Sequence, residues 1–387
     1  MDKFEYSYPT RVHFGEGVAD EALGKEIARM GSVVMLAYGG GSIKRSGLYN
    51  RILQKLEAAG KTVVDFGGIM SNPTYEKAQE GASLARKHQV TDILAVGGGS
   101  VIDCCKVVAV QAKLDEDMWQ LEYSKGVFPT EGLALGAVVT ASGTGAEMNA
   151  GAVITNNDLQ LKAPLFGVAP AYAVLDPALT ASVPRMQVLS GAFDTLSHAM
   201  ETYLGTSDNC NPSDDVALAI MKNTVTNMRR LLSNIDDMQA RGNLMWDSAM
   251  AENGILKLGR ATDFQAHQIE HQLGAFTDCN HGQGLAVIHP AYYSHVAAKA
   301  PAKLARMGRE VFGVQEADDS IAANAAVDAL AAFITKCGLP RTLDELKSTN
   351  PITPELLHRV ADSTNLIKTG PVQLTHDDIY DLLLECL

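Results

Sequence analysis

Apolar and polar positions change their period part-way along the chain. In the first half, short β-branched runs alternate with stretches of helical period. Val33 to Tyr38 (VVMLAY), Thr62 to Phe66, Thr91 to Val96 and Leu133 to Val139 read as buried strands, while Gly47 to Ala59 and Thr74 to His88 read as helices. Strand, helix, strand in regular succession implies parallel pairing through right-handed crossovers. Residues 1–185 are therefore expected to form an α/β, Rossmann-like dinucleotide-binding domain with a parallel sheet. After Asp176-Pro177 strand-like runs largely disappear, and helix follows helix, rich in Ala, Leu and Met. Residues 186–387 are expected to form a second, all-α domain.

Composition adds limits more than content. The 387 residues are 46% hydrophobic and 20% charged, enough for two domains with separate cores. The start, Met1 to Gly15, lacks the cationic segment and apolar run of a signal peptide, and no charge-free apolar stretch is long enough to span a bilayer. A cytoplasmic protein is the expectation. Its six cysteines are scattered without a C-x-x-C pair, and reduced thiols are expected. A net charge of -13 argues against nucleic acid or an anionic membrane as a partner. It leaves a small-molecule substrate open.

Three loops carry candidate chemistry, each directly after a predicted strand. Gly97, Gly98, Gly99 and Ser100 open a predicted helix, where glycine permits close approach of a phosphate and the free N–H groups attract it. A capped turn, with Ser100 as N-cap and Asp103 as its capping-box partner, explains the same residues without a ligand. Gly39, Gly40, Gly41 and Ser42 follow the strand ending at Tyr38. The carboxylate that grips an adenosine ribose in NAD-binding folds is absent there, while Ser42, Lys44 and Arg45 are at hand, a pattern that favours NADP over NAD. Thr140 to Glu147 forms the third, hydroxyl-rich loop.

The helical half holds a histidine and aspartate constellation. Asp194 and His198 are four apart in one predicted helix, and His267 and His271 repeat that spacing in a later one, so each pair shares a face. His281 lies in the turn Asp278 to Gly282. Small and apolar residues flank both pairs, so these groups face an interior, where unpaired charge is costly. Two such pairs with one loop histidine supply the three or four convergent N and O ligands that a divalent cation needs.

With these motifs in place, the sequence resembles the iron-containing, or group III, alcohol dehydrogenase family, and particularly its NADP(H)-dependent butanol dehydrogenase and aldehyde reductase branch. The resemblance runs from Pro9-Thr-Arg-Val-His-Phe-Gly15 through Ala95 to Ser100 and Gly191 to His198, and on to His267, His271 and His281. It implies metal ligands at Asp194, His198, His267 and His281, with Fe2+ or Zn2+ as the ion, and places His271 near the substrate as a positioning or proton-relay residue. It also implies nucleotide contacts at Gly39 to Ser42, Asn72, Gly97 to Ser100, Asp103, Thr140, Ser142, Thr144, Asn149 and Lys162. Ala146 departs from the serine many members carry. The implied activity is interconversion of primary alcohols and aldehydes with NADP(H), and the implied assembly is a homodimer. Two other readings remain: a dehydroquinate synthase-like lyase with bound NAD and metal, and a non-catalytic NADP-binding protein.

Overall fold

A computed structural model describes residues 2–205 and 211–387. The chain divides into two compact units, residues 7–183 and residues 184–387, the latter joined by the N-terminal stretch up to Tyr6. This differs at two points from a division after residue 185. Residues 2–6 group with the helical unit, where the Asp2 N–H donates to the Gly259 carbonyl at 3.0 Å. Pro184 and Arg185 do so as well, because they start the first helix of that unit. Cys210 lies outside the described residues; Cys104, Cys105, Cys279, Cys337 and Cys386 are free and buried.

In the α/β unit the order is β1 (Arg11–Phe14), α1 (Ala19–Ile27), β2 (Val33–Tyr38), α2 (Ser42–Arg45), α3 (Leu48–Ala58), β3 (Thr62–Phe66), α4 (Tyr75–Lys87), β4 (Asp92–Gly97), α5 (Gly99–Gln111), β5 (Ala134–Val139), β6 (Gly151–Asn156), β7 (Leu161–Phe166) and β8 (Tyr172–Leu175). Six strands form one parallel sheet in the order β1-β8-β5-β4-β2-β3. The apolar runs of β2 and β4 are buried on both faces, as central strands of a helix-covered parallel sheet require. Helix α4 starts where Thr74 accepts the Lys77 N–H, within a residue of the sequence expectation.

Four strands were not foreseen. β1 and β8 are only four residues long, and β6 and β7 form a separate antiparallel hairpin interrupted by Pro164. Short or proline-bearing strands take their stability from their neighbours, so local pattern underreports them.

In the helical unit the order is α6 (Arg185–Tyr203), α7 (Pro212–Ser233), α8 (Met238–Glu252), α9 (Gln265–Thr277), α10 (His281–Lys299), α11 (Pro301–Met307), α12 (Asp319–Cys337), α13 (Pro354–Ser363) and α14 (His376–Glu385). Phe193, Leu196 and Met200 of α6 meet Ile269 and Leu273 of α9 and Leu285, Ile288 and Tyr292 of α10 in one hydrophobic core. From Leu189 to Tyr203 nearly every residue of α6 is buried, polar ones included. Helix α12 is long and apolar enough to cross a membrane by length and composition alone. Its apolar face, including Ala323, Leu330 and Ile334, instead belongs to this core.

One carboxylate pins edge strand β1 to α1. Glu26 accepts from Arg11 Nε and Nη2 at 2.9 and 2.8 Å, from Arg29 Nη1 at 2.8 Å, and lies 2.8 Å from His13 Nε2. Chiefly through Arg11, these partners hold its pKa down to about 2. A depressed carboxyl pKa contributes stability that is present above the unfolded value and is lost as pH falls through the folded one. Glu26→Gln is therefore expected to cost roughly 2–3 kcal/mol near neutral pH. In denaturant titrations the gap between parent and variant should narrow below pH 4.5 and close near pH 2; a gap independent of pH would exclude this role.

Candidate metal centre and nucleotide loops

Helix α6 supplies the first part of a polar cluster in the helical unit. Asp194 and His198 lie one turn apart on it, and both are buried. Helix α9 brings His267, also buried, and the first residue of α10 brings His281, so this histidine opens a helix instead of sitting in a free turn. Three ring nitrogens approach one carboxylate oxygen: His198 Nδ1, His267 Nε2 and His281 Nε2 lie 3.6, 3.6 and 3.4 Å from Asp194 Oδ1. Asp194, His267 and His281 form the tight group, with ligand atoms all within 4.8 Å of one another. His198 joins from the side, its ring 4.5 Å from that of His267 between centroids.

The other ring nitrogens of two of these histidines face carboxylates. His267 Nδ1 contacts Glu201 Oε2, and His281 Nδ1 contacts Glu270 Oε2. Burial opposes charge on His267, yet Glu201 and Asp194 together carry its pKa up to about 10. Asp194 is likewise opposed by burial, and His198 and His281 nevertheless hold it well below the ordinary carboxylate range. Burial pushes the His198 pKa down, against the pull of Asp194.

The arrangement fits a divalent cation. Asp194 Oδ1, His198 Nδ1 and His267 Nε2 are buried polar atoms without a hydrogen-bond partner, a costly state that an ion would relieve. Ligand atoms 2.0–2.1 Å from a tetrahedral ion stand about 3.4 Å apart, and the observed separations of 3.4–3.6 Å match that spacing. Imidazole nitrogens with one carboxylate oxygen suit iron or zinc. His271 is placed differently: it groups with Glu270 and His281, its ring centroid 5.6 Å from that of His281 and 6.0 Å from that of His267.

In the α/β unit, the strand order reverses between β2 and β4, since β2 leads outward to β3 on one side and β4 leads to β5 on the other. Ligands of open α/β sheets bind outside the carboxyl ends of strands at such a switch point. Gly39 to Ser42 follow β2, and Gly97 to Ser100 end β4 and open α5. The Thr140 loop follows β5 beside them, the Thr140 N–H donating to the Gly97 carbonyl at 2.9 Å. Asn72 joins the same neighbourhood through its neighbour Ser71, whose carbonyl accepts from the Ser100 hydroxyl. That bond also removes the capping-box reading of Ser100: α5 begins at Gly99 with Gly98 as N-cap, and no side chain caps it.

Not every predicted contact is free to meet a ligand. Asp103 accepts the Val153 N–H at 3.0 Å and pairs with Lys106 at 3.4 Å, and Asn149 accepts from Lys106 at 3.0 Å. Lys162 is buried in β7, opposite Thr155. Thr144 Oγ1 accepts the Ala146 N–H at 3.3 Å, and Ser142 is half-buried in the same loop. Gly40, Ser42, Lys44 and Arg45 are exposed. Some of the glycine requirement is internal packing: a Cβ on Gly97 would lie 2.6 Å from Val101 Cβ, and one on Gly99 would lie 2.1 Å from Thr144 Oγ1.

Residues 9–177 match the family described as iron-containing alcohol dehydrogenase, and residues 188–387 match the C-terminal part of that family. The chain belongs to the iron-containing alcohol dehydrogenase family. Within it, the chain is 36% identical over 369 residues to the probable NADH-dependent butanol dehydrogenase 1 of Bacillus subtilis, covering 94% of this chain and 93% of that one. It is 32% identical to the NADPH-dependent aldehyde reductase YqhD of Escherichia coli, with 94% of each chain covered. The crystal structure of NADH-dependent butanol dehydrogenase A from Thermotoga maritima superposes with a TM-score of 0.92 at 31% identity, covering 100% of this chain and 99% of that one. Membership agrees with the alcohol and aldehyde oxidoreductase reading of the sequence.

Family motifs and histidine spacing did not disclose Glu201 and Glu270. A signal was present: Glu201 lies seven residues after Asp194, and Glu270 three after His267, each on the face of its predicted neighbour. At the glycine loops, Gly99→Ala is expected to force the Thr144 loop aside, costing about 1–3 kcal/mol. Titration with NADPH, followed by its fluorescence, should show weakened binding; unchanged affinity would mean the loop does not shape the nucleotide site.

Proposed function

We propose that this member of the iron-containing alcohol dehydrogenase family is a metal-dependent oxidoreductase that interconverts primary alcohols and aldehydes with NADP(H). One observation carries the reading: ring nitrogens of three histidines, His198, His267 and His281, converge at 3.4–3.6 Å on a single buried oxygen of Asp194. With the Asp194 carboxylate they would hold one divalent cation, Fe2+ or Zn2+. When bound there, the cation supplies a Lewis acid that draws negative charge from the substrate oxygen.

The remaining work falls to the chain itself. The start of α5, with Gly97 to Ser100, offers N–H groups to the pyrophosphate, and Asn72, Thr140, Ser142, Thr144, Asn149 and Lys162 are proposed to complete the nucleotide contacts. A nicotinamide held by these loops would supply or accept the hydride at the substrate carbon, and the hydroxyl proton would have to leave in the alcohol-to-aldehyde direction. His271, close to His281 and His267 without belonging to the tight group, is proposed to position the substrate and relay that proton.

The preference for NADP(H) rests on the loop after β2. No carboxylate occupies Gly39 to Ser42, and Lys44 and Arg45 stand exposed beside it. The named relatives divide between NADH and NADPH, so the loop chemistry supports the choice more than the names do. A lyase of the dehydroquinate synthase type is not favoured, since the relatives are alcohol and aldehyde oxidoreductases.

Elemental analysis of the purified protein should find about one divalent cation per chain, and NADPH should be oxidised faster than NADH across a series of aldehydes. Asp194→Ala and His267→Ala should lose metal and activity together. His271→Ala should keep its metal while kcat falls by about 10²–10⁴. Full activity in protein stripped of metal would refute the proposal, and loss of metal on changing His271 would move that residue into the ligand set.

A further inference from the structure

Helix α9 starts without a cap of its own. Its N-cap position is Phe264, which sits in the left-handed region at φ 59° and offers no side-chain acceptor. The first-turn N–H groups of a buried helix need acceptors, and here they are met from another helix. Glu201 Oε1, fully buried on α6, accepts the Ala266 N–H at 2.7 Å and the His267 N–H at 3.4 Å. The second oxygen of that carboxylate contacts His267 Nδ1.

A single side chain therefore fixes both the start of α9 and the ring of the histidine three residues into it. The pattern repeats one step on: Glu270 of α9 contacts His281 Nδ1 at the start of α10. Helix α6 holds α9, α9 holds α10, and Asp194 of α6 closes the circuit. Each carboxylate faces Nδ1 of its histidine, so an Nδ1–H donated to it would leave Nε2, the nitrogen facing Asp194, available to a cation.

We infer that Glu201 is a positioning residue for His267, and Glu270 for His281, and that the two carboxylates set how tightly the cluster holds its cation without touching it. This deepens the metal-site reading above and rests on it. Exchange of Glu201 for glutamine isolates the effect. The amide oxygen is still claimed by the Ala266 N–H, so the amide nitrogen faces His267 Nδ1 as a donor. The ring must then accept at Nδ1 and carry its proton on Nε2, which removes the lone pair aimed at Asp194 while the start of α9 stays capped.

The test measures the dissociation constant of zinc by chelator competition for the parent, E201Q, E270Q, E201A and D194A, together with the thermal midpoint of each metal-free protein. E201Q and E270Q should bind zinc about 10–100-fold more weakly than the parent. Metal-free E201Q should melt close to the parent, whereas E201A, which uncaps α9, should melt about 2–4 °C lower or more. Affinities of both glutamine variants within twofold of the parent, with D194A losing zinc, would overturn the positioning role and leave the metal site standing. A parent that binds zinc no better than D194A would overturn the metal site and this inference with it. Should E201Q fail to fold, the E270Q affinity decides by the same thresholds.

Discussion

A carboxylate in the middle of a helix with no solvent-facing side must have partners, and Asp194 is such a carboxylate. Helix α6 is enclosed along most of its length, so every polar group on it has to be answered by another buried group. The answer comes as three imidazoles around one oxygen, and two of those imidazoles need carboxylates behind them. Ion-pair logic alone would bring the groups to hydrogen-bonding distance. They stop at 3.4–3.6 Å, the spacing of ligands sharing a cation. The packing of α6, α9 and α10 is thus the scaffold of the site as well as the core of the unit.

The α/β unit solves a different problem. Its sheet exposes strand ends at the reversal between β2 and β4, and the loops leaving those ends must turn sharply without filling the space beyond them. Glycine at 99 lets α5 and the Thr140 loop close on each other, glycine at 97 leaves room for Val101 of α5, and the uncapped start of α5 leaves backbone donors for an anion. Lys106, almost wholly buried, ties Asp103 and Asn149 into the wall behind these loops. Residues that the family resemblance assigned to the cofactor therefore also serve as internal supports. The two roles are compatible where one oxygen bonds the protein and another surface of the side chain faces a ligand.

Asp194, His198, His267 and the two glycine runs were legible because each stands in local sequence context: helical i, i+4 spacing for Asp194 with His198 and for His267 with His271, and a strand directly before each glycine run; His281 was a candidate only as a histidine in the turn ten residues further on. Sorting His271 from the ligands needed the family resemblance; in the structure it forms a second group with Glu270 and His281 whose ligand atoms also lie within 4.8 Å of one another. The division near residue 184 was visible in the change of period, whereas the N-terminal stretch gave no sign of grouping with the helical half.

By itself the sequence determined the alternation that makes a parallel sheet, the helical texture of the second half, and the identity of the polar residues that must be buried. These follow from periodicity and from the cost of isolating charge, both local properties. Only the tertiary structure decided that Glu201 would serve as the missing cap of α9, that Glu270 would orient His281, and that β1, β8 and the β6–β7 hairpin would be strands at all. Each of these depends on separate elements meeting within hydrogen-bonding distance: Glu201 reaches Ala266 and His267 of another helix, Glu270 reaches His281 of the next, and β1 pairs with β8 from the far side of the unit's sequence. No local pattern encodes such a meeting, because its energy exists only once the helices and strands have packed.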